Sequence, residues 1–283
     1  MTNKKTYLKT KDYSVSGEDF NLLFNESLEM LETSPRPSDE KLPNYYHSEN
    51  YISHTDAKRN TFEKAYQIIR NISLKRKLKL INSFSSQGNT LLDVGCGTGD
   101  FLKTSQNNGW QVLGIEPNDQ ARDIANKKTN NSVYKIEHLL QLKEKSFDVI
   151  TLWHVLEHLP SLEDHIVVFK KLLKDKGTLI IAVPNYKSYD AKHYNEFWAG
   201  YDTPRHLWHF SQNSISRLFS RTDMAVKKTL PMKFDAFYVS LLSEKYKSGS
   251  MNIFKAFYIG LLSNIKAINS KEYSSLIYLI KNK

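Results

Sequence analysis

The residues with the clearest chemical character lie in a glycine-rich turn in the first half of the chain. Residues 90–100 read TLLDVGCGTGD, so an apolar run that contains Asp93 continues into Gly95, Gly97 and Gly99. Glycines at alternate positions allow a tight turn in which the backbone can lie directly against a ligand. The G-x-G-x-G spacing differs from the dinucleotide fingerprint, and no Lys-Ser/Thr pair follows, which excludes a phosphate loop. An ordinary strand-to-helix turn remains the alternative for the glycines alone.

A second carboxylate follows the turn at the spacing of a nucleoside-binding site. Residues 112–116 read VLGIE and end in Glu116, which lies 23 residues beyond Asp93. An acid about 20 residues after a glycine turn, at the tip of the second strand, is placed to bind ribose hydroxyls. Asp93 would lie at the carboxyl end of the first strand, where open α/β sheets bind ligands. A carboxylate there favours a cationic ligand over a pyrophosphate.

The elements that must position these groups alternate between apolar runs and helical patterns. Strands are predicted at residues 91–94, 112–115, 147–152 and 178–183, with helical spacers between them. This alternation predicts an α/β fold, a parallel sheet with helices on both faces. A helix is also predicted over residues 56–84.

The chain divides into three predicted parts. Residues 1–55 read as an irregular N-terminal cap. They resemble the tail of a zinc-ribbon module, and because no cysteine precedes Cys96 the resemblance implies a ribbon without metal. Residues 56–230 form the predicted main domain, with an aromatic lid at 185–212. Residues 231–283 are predicted to be a C-terminal helical extension.

Four segments together resemble one enzyme family. LLDVGCGTGDF, GIEPN, FDVITLWHVLEHL and GTLIIAVPN look like the motifs of class I S-adenosylmethionine-dependent methyltransferases. Their order and spacing are similar to those of the ubiquinone-biosynthesis O-methyltransferases and many unassigned bacterial relatives, over about residues 88–210. The resemblance implies a Rossmann-like fold, S-adenosyl-L-methionine as the cofactor and methyl transfer as the reaction.

The resemblance also assigns cofactor-binding residues. Asp93 and the glycine turn would hold the methionine end of the cofactor, and Glu116 would bind the ribose. The two residues after Glu116 would flank the adenine, and a polar residue after the third strand would bind its amino group. The predicted cofactor site comprises Asp93, Gly95, Cys96, Gly97, Thr98, Gly99, Glu116, Pro117, Asn118, Glu137, His138 and Trp153.

Two classes of methyl acceptor are disfavoured by the residues present. Methylases of exocyclic or amide nitrogen end the fourth strand in Asn/Asp-Pro-Pro-Tyr/Phe, whereas residues 151–154 here read TLWH. Carbon-5 methylation of cytosine needs a cysteine nucleophile, and the single cysteine, Cys96, lies inside the cofactor turn. One cysteine also excludes an internal disulfide, which together with a polar N-terminus predicts a cytoplasmic protein.

Two histidines follow the fourth strand, where the reacting sulfur should lie. His154 and His158 are four residues apart on one helical face, with Glu157 between them. Either histidine is a candidate general base toward a hydroxyl or phenol. The alternative is that Glu157 and His158 only orient the loop. No metal site is predicted, because no clear carboxylate or cysteine set accompanies the pair.

The stretch after the fifth strand is unusually aromatic. Residues 186–210 contain eight aromatic residues, which could cover an apolar or planar acceptor or could pack the stretch onto the sheet. The predicted acceptor-binding residues are Tyr194, Trp198, Arg205 and His206. Arg205 suits a carboxylate or phosphate, and His206 and His209 are further candidates for proton transfer.

The charge of the chain leaves its partners open. The 283 residues carry 40 Lys+Arg against 30 Asp+Glu, a net charge of +10. Residues 58–79 and 224–283 each carry a net +7, so the remainder is −4. A small-molecule, lipid-precursor or glycan acceptor is the leading interpretation, and RNA bound by the basic segments is an alternative. A third interpretation is a non-catalytic module in which residues 251–268 form an amphipathic helix that contacts a membrane. The same apolar stripe would more often pack on its own domain or on a second subunit.

Overall fold

Two β-sheets and their flanking helices make up the described part of the chain. The computed structural model describes residues 5–38, 40–46, 61–84 and 88–283. The strands are β1 (Lys5–Lys11), β2 (Asp19–Asn25), β3 (Met30–Ser34), β4 (Thr90–Val94), β5 (Gln111–Ile115), β6 (Val133–Tyr134), β7 (Phe147–Trp153), β8 (Leu173–Pro184), β9 (Trp208–His209), β10 (Met224–Pro231) and β11 (Ser275–Asn282). The α-helices are α1 (Thr61–Asn82), α2 (Asp100–Gln106), α3 (Asp119–Thr129), α4 (Leu162–Leu172), α5 (Tyr189–Tyr194), α6 (Gln212–Ser220), α7 (Asp235–Ser248) and α8 (Ile253–Ser270). Short 3-10 helices span Leu42–Tyr46, Ile136–Gln141, Leu156–His158, Asn195–Phe197 and Ala199–Tyr201.

The larger sheet has seven strands in the order β10-β11-β8-β7-β4-β5-β6. The strands from β8 to β6 in this order pair in parallel, whereas β11 is antiparallel to both of its neighbours. The central strands β7 and β8 are buried on both faces, which explains their continuous apolar sequences. The α/β fold predicted from the sequence is confirmed, as are its four predicted strands. The predicted helix over 56–84 is observed as α1, and residues 56–60 lie outside the described residues.

The prediction that residues 1–55 are irregular was wrong for their described part. Strands β1, β2 and β3 form an antiparallel sheet, and β9 adds to it as a fourth strand. Phe20, Leu22, Met30 and Leu31 are buried side chains of this sheet. The signal was missed because the strands are short and interrupted by polar residues, and because β9 comes from a part of the chain far away in sequence.

The predicted boundary at residue 230 also differs from the structure. Helices α7 and α8 confirm that much of the segment 231–283 is helical, but β11 lies inside the main sheet between β10 and β8. The segment is therefore part of the main domain. A short apolar run such as residues 276–280, LIYLI, fits either a strand or a buried helix by pattern alone. Its neighbours in the sheet decide between the two.

The aromatic stretch at 185–212 packs between the two sheets. Tyr186, Tyr194, Trp198 and Tyr201 are buried and form one cluster with Leu22 and Leu31 of the N-terminal sheet, among others. The packing interpretation of these rings is therefore the one that the structure supports. Among the described residues, no helix has both the length and the apolar character needed to cross a bilayer.

A buried arginine ties the N-terminal sheet to the main domain. The Arg205 guanidinium donates hydrogen bonds to Asp12 Oδ1 at 3.0 Å and to the two carboxylate oxygens of Asp202 at 2.8 and 3.0 Å. It also donates to the Tyr45 carbonyl at 2.9 Å. Arg205 and Asp12 are both buried, so removal of the cation would leave a buried carboxylate without its partner.

We expect Arg205→Ala to lower the free energy of unfolding by about 3–5 kcal/mol, because breaking a buried ion pair leaves an uncompensated charge. Urea denaturation followed by circular dichroism measures this loss. The matched control is Arg217→Ala, which removes the half-exposed ion pair with Glu29 and should cost about 1 kcal/mol or less. Equal losses in the two variants would contradict the conclusion that Arg205 stabilises the contact between the N-terminal sheet and the main domain.

Candidate active site

The glycine turn adopts a conformation that favours glycine at each of its three positions. Gly95, Gly97 and Gly99 have φ angles of 71°, 55° and 76°, in the left-handed region. A Cβ added to Gly95 would lie 2.4 Å from Val155 Cγ2, whereas one added to Gly97 would meet no atom within 4 Å among the described residues. The turn is thus closely packed at Gly95 and open at Gly97, where a ligand can approach the backbone.

Asp93 is a buried carboxylate at the end of β4. Its side chain accepts a hydrogen bond from Thr151 Oγ1 at 2.6 Å, across the parallel pair of β4 and β7. Burial raises the pKa of Asp93 to about 7, because the hydrogen bond from Thr151 and the charge of Lys77 compensate only part of the lost hydration. This carboxylate therefore lacks a full counter-charge in the protein alone.

Lys77 is a site residue that the sequence analysis missed. It belongs to the basic helix α1 and places its Nζ 4.4 Å from the ring centre of Trp153. Burial lowers the pKa of Lys77, while the carboxylates of Asp93 and Asp235 raise it in part. Helix α1 is held over the turn by an ion pair between Arg70 and Asp100. No sequence signal separates Lys77 from the exposed lysines of the same helix.

Glu116 lies opposite Asp93 and is bound to the turn itself. Its Oε2 accepts a hydrogen bond from the Gly97 N–H at 2.8 Å, and its Oε1 accepts one from the Asn118 N–H at 2.9 Å. Burial raises the pKa of Glu116, against the effect of these two donors. Pro117 and Asn118 are exposed beyond it, and the Asn118 side chain caps α3.

The other predicted cofactor residues lie around the same edge of the sheet. Burial raises the pKa of the Cys96 thiol above its usual range, so the thiol stays protonated. The Thr98 hydroxyl donates to Asp100 at 3.0 Å. Glu137 is exposed in the 3-10 helix after β6, and His138 stacks on Tyr134 with ring centres 4.2 Å apart.

His154 lies where β7 ends, in a conformation that is rare outside glycine. Its φ is 57°, a strained value that observed structures often show at functional sites. Its Nε2 is 3.1 Å from Asp235 Oδ2 and its Nδ1 is 3.4 Å from Glu157 Oε1. Burial lowers the pKa of His154, but the two carboxylates outweigh it and raise the pKa to about 10. Asp235, in the first turn of α7, was not identified from the sequence, since an isolated aspartate carries no motif.

A second group of polar residues surrounds Glu157, which is fully buried. His158 and His206 present ring nitrogens that lie, with a Glu157 carboxylate oxygen, within 4.8 Å of one another. Each histidine is oriented by a backbone carbonyl, since the Nδ1 of His158 is 3.0 Å from the Arg205 oxygen and that of His206 is 3.0 Å from the Gly200 oxygen. Burial and the nearby His206 lower the pKa of His158 to about 4. The predicted absence of a metal at these histidines stays a prediction.

The remaining residues predicted for acceptor binding or catalysis lie in the interior. Tyr194 and Trp198 are buried, and the Trp198 indole donates to Asp190 at 2.7 Å. The Arg205 guanidinium is engaged with Asp12 and Asp202, as described above. The Nε2 of buried His209 lies 3.0 Å from the Thr33 hydroxyl, and burial lowers its pKa well below the usual value. Tyr194, Trp198, Arg205 and His209 are thus buried within the domain, and their predicted contact with an acceptor stays a prediction.

Comparison with known proteins agrees with the fold and the turn. A family model described as "Methyltransferase domain" matches residues 65–229, more than half of the chain. The chain is 30% identical over 123 residues to a ubiquinone biosynthesis O-methyltransferase from Hydrogenovibrio crunogenus, which covers 40% of the chain and 51% of that relative. The chain spans about half the length of the curated relatives it matches.

Solved structures agree at the level of the fold. The magnesium protoporphyrin IX methyltransferase of Synechocystis PCC 6803, solved with bound SAH, aligns with 87% of the chain and 100% of its own, with a TM-score of 0.56 at 14% identity. A SAM-dependent methyltransferase from Archaeoglobus fulgidus covers 79% of this chain and 100% of its own, with a TM-score of 0.50 and 17% identity.

The chain therefore belongs to the methyltransferase-domain family, and its fold is the one that these S-adenosylmethionine-dependent methyltransferases share. Its residues fit the cofactor. Gly97 is open to a ligand and donates a hydrogen bond to buried Glu116, and buried Asp93 lies in the strand before the turn. The buried Nε1–H of Trp153 has no hydrogen-bond partner within the described ranges. A ligand with a positive charge and hydrogen-bonding groups matches this arrangement.

We expect Asp93→Asn to weaken the binding of S-adenosylhomocysteine about 10- to 100-fold, the usual effect of losing a hydrogen bond to a charged group. The same change should stabilise the unliganded protein. The pKa of Asp93 rises from an ordinary 3.8 to about 7 on folding, so the folded state binds more protons between those values and loses stability as pH increases. The gain in Asp93→Asn should therefore grow from pH 4 toward neutrality, to at most about 4 kcal/mol.

Calorimetry measures the affinity, and thermal unfolding across this pH range measures the stability. Asp175→Asn is the matched control, because Asp175 is an exposed carboxylate paired with Lys145. A loss of stability in Asp93→Asn at neutral pH would contradict the assigned burial cost.

Proposed function

We propose that the enzyme transfers a methyl group to an oxygen of a small molecule, a lipid precursor or a glycan, with a phenolic hydroxyl as the best-fitting acceptor. The observation that carries this proposal is the position of His154 between Asp235 and Glu157 at the end of β7. The name of the O-methyltransferase relative supports the same acceptor atom.

The two ends of the site have different chemistry. When bound, S-adenosylmethionine supplies a methyl group on a positively charged sulfur. Asp93 and the turn from Gly95 to Gly99 would hold its methionine end, and Glu116 would bind its ribose. Lys77 interacts electrostatically with both Asp93 and Asp235, which supports placing the acceptor end, at His154 and Asp235, beside the cofactor end.

An oxygen acceptor must lose a proton during transfer, and His154 is suited to share that proton. A phenol has an ordinary pKa of about 10, close to that of His154 in this site. Proton exchange between groups of matched pKa costs little free energy. The neutral form of His154, the minor form at neutral pH, accepts the phenol proton. The imidazolium that results stays paired with Asp235, and its positive charge stabilises the attacking oxyanion.

Positioning of the acceptor matters as much as proton transfer, because displacement at the methyl group needs an in-line approach. His154 has a fixed orientation, since its backbone N–H donates to the Ala182 carbonyl at 2.9 Å and both ring nitrogens face carboxylates. To take the acceptor's proton, one of these nitrogens exchanges its carboxylate partner for the acceptor hydroxyl, while the other contact keeps the ring oriented.

We expect kcat/KM for a phenolic acceptor to increase from neutral pH up to about pH 10, because the acceptor and His154, whose pKa is about 10, together must lose one proton. Removing the carboxylate in Asp235→Asn lowers the pKa of His154, so the rising limb should move to lower pH by about one unit. The maximal rate should fall by up to about 100-fold, the lower end of the range for a positioned acid–base group, because His154 remains but loses one of its two carboxylate partners. Initial rates measured across pH with S-adenosylmethionine and a set of phenols test this.

Asp235→Asn should still bind S-adenosylhomocysteine, which separates loss of acceptor chemistry from loss of the cofactor site. Asp175→Asn serves again as the exposed control. An unchanged pH profile in Asp235→Asn would overturn the proposed role of His154 and Asp235 in proton transfer. RNA, included as a second acceptor in the same assay, would replace the proposed class if it alone were methylated.

A further inference from the structure

Helix α8 exposes a continuous row of large apolar side chains. Phe254 is 91% exposed, and Phe257 and Tyr258 are each 59% exposed. The other exposed members of this surface, here called the α8 face, are Ile253, Leu261, Ile265 and Ile268. Their spacing of three and four residues places them on one side of the helix. A row of this length is unusual on a protein surface that faces only water.

The opposite side of α8 packs against the domain through small residues, so the row of large apolar side chains faces outward. Its buried residues are mostly small, namely Ala256, Ile259, Gly260, Ser263 and Ala267. A Cβ on Gly260 would lie 2.8 Å from Phe237 Cδ1 and 3.0 Å from the Ala236 carbonyl. Helices α7 and α8 therefore approach too closely for the large residues to turn inward. These exposed residues do not pack on their own domain, which was one half of the sequence-based expectation; the other half, packing on a second subunit, stays a prediction.

The charges around the α8 face have one predominant sign. Helix α8 and the residue after it, 253–271, contain three lysines and no acid, and the wider segment 224–283 contains ten lysines against three acids. All three acids are engaged inside the domain. Asp235 faces His154, Glu244 is buried against Lys255, and Glu272 accepts a hydrogen bond from Asn185. The exposed charge of this region is thus carried by lysines.

These charges decide between two candidate partners for the face. A two-fold dimer through the α8 face would bring the lysine-rich surfaces of two copies together, and like charges would oppose that contact. An anionic membrane surface offers an apolar layer for the aromatic and aliphatic side chains and negative headgroups for the lysines. The chemistry of the face is complementary only to the second.

We propose that the α8 face docks on an anionic lipid bilayer, with the helix lying in the plane of the interface. The docking surface adjoins the active site, because α7 carries Asp235 at its first turn and packs directly on α8. Lys266 lies at the border of the face, 4.0 Å from the ring centre of Tyr189, where its ammonium can reach the headgroup layer. This proposal is independent of the acceptor assigned above.

We expect the full chain to float with vesicles of phosphatidylcholine containing about 30% phosphatidylserine and to bind pure phosphatidylcholine far less, since the lysines contribute to the attraction. The double variant Phe254→Ser/Ile268→Ser should reduce binding to the anionic vesicles about ten-fold or more. Both positions are exposed, so its thermal unfolding and its affinity for S-adenosylhomocysteine should match those of the unmodified chain.

The matched control is Leu140→Ser, at an apolar residue that is 76% exposed near the other edge of the sheet, and it should bind vesicles normally. Absence of flotation by the unmodified chain would overturn the proposal. Equal binding by the double variant would overturn it too. A dimer in sedimentation that dissociates in the double variant would assign the face to a second copy of the chain instead.

Discussion

Carboxylates withdrawn from water are the constraint on which this structure depends. Asp93, Glu116 and Glu157 are all buried at the carboxyl end of the main sheet, where an ionised group costs several kcal/mol unless cations or donors compensate it. Lysine from α1, backbone N–H groups of the glycine turn and a histidine after β7 provide that compensation. These groups come from separate parts of the chain, so the site exists only once the domain has folded around it.

The buried carboxylates are not equally compensated at the two ends of the site. Asp93 marks one end, Glu157 and His154 mark the other, and the difference gives the two ends different roles. Asp93 is only partly compensated and its pKa lies near 7, which leaves it suited to a cationic ligand. Burial raises the pKa of Glu157, but His154 and the histidines around it outweigh burial and hold that pKa below its usual value. His154 in turn has a pKa near that of a phenol. Environments that move the pKa values of neighbouring groups apart are a common way in which one site obtains both binding and proton-transfer groups.

Packing outside the site follows from the same balance of burial and charge. Arg205 has its donors engaged by two acids and a carbonyl, which stabilises the contact between the N-terminal sheet and the aromatic stretch. Helix α8 differs from the usual pattern of a packed helix, because its buried side is mostly small residues and its large apolar side chains face outward. The aromatic stretch resembled a binding element in sequence, but its rings are buried in the structure. Helix α8 resembled an ordinary packed helix, but its large apolar side chains are exposed.

The sequence alone determined the parts of this protein that depend on local pattern. The parallel strands, the glycine turn with Asp93, and Glu116 at the next strand could all be predicted, because strand periodicity, turn chemistry and their spacing are properties of neighbouring residues. Tertiary structure decided the rest. Lys77 and Asp235 joined the site, β11 entered the main sheet, and β9 completed a second sheet that the sequence had concealed. Arg205 changed from an expected ligand group to a buried clamp, because which carboxylates meet a cation depends on contacts between distant segments that no local pattern records.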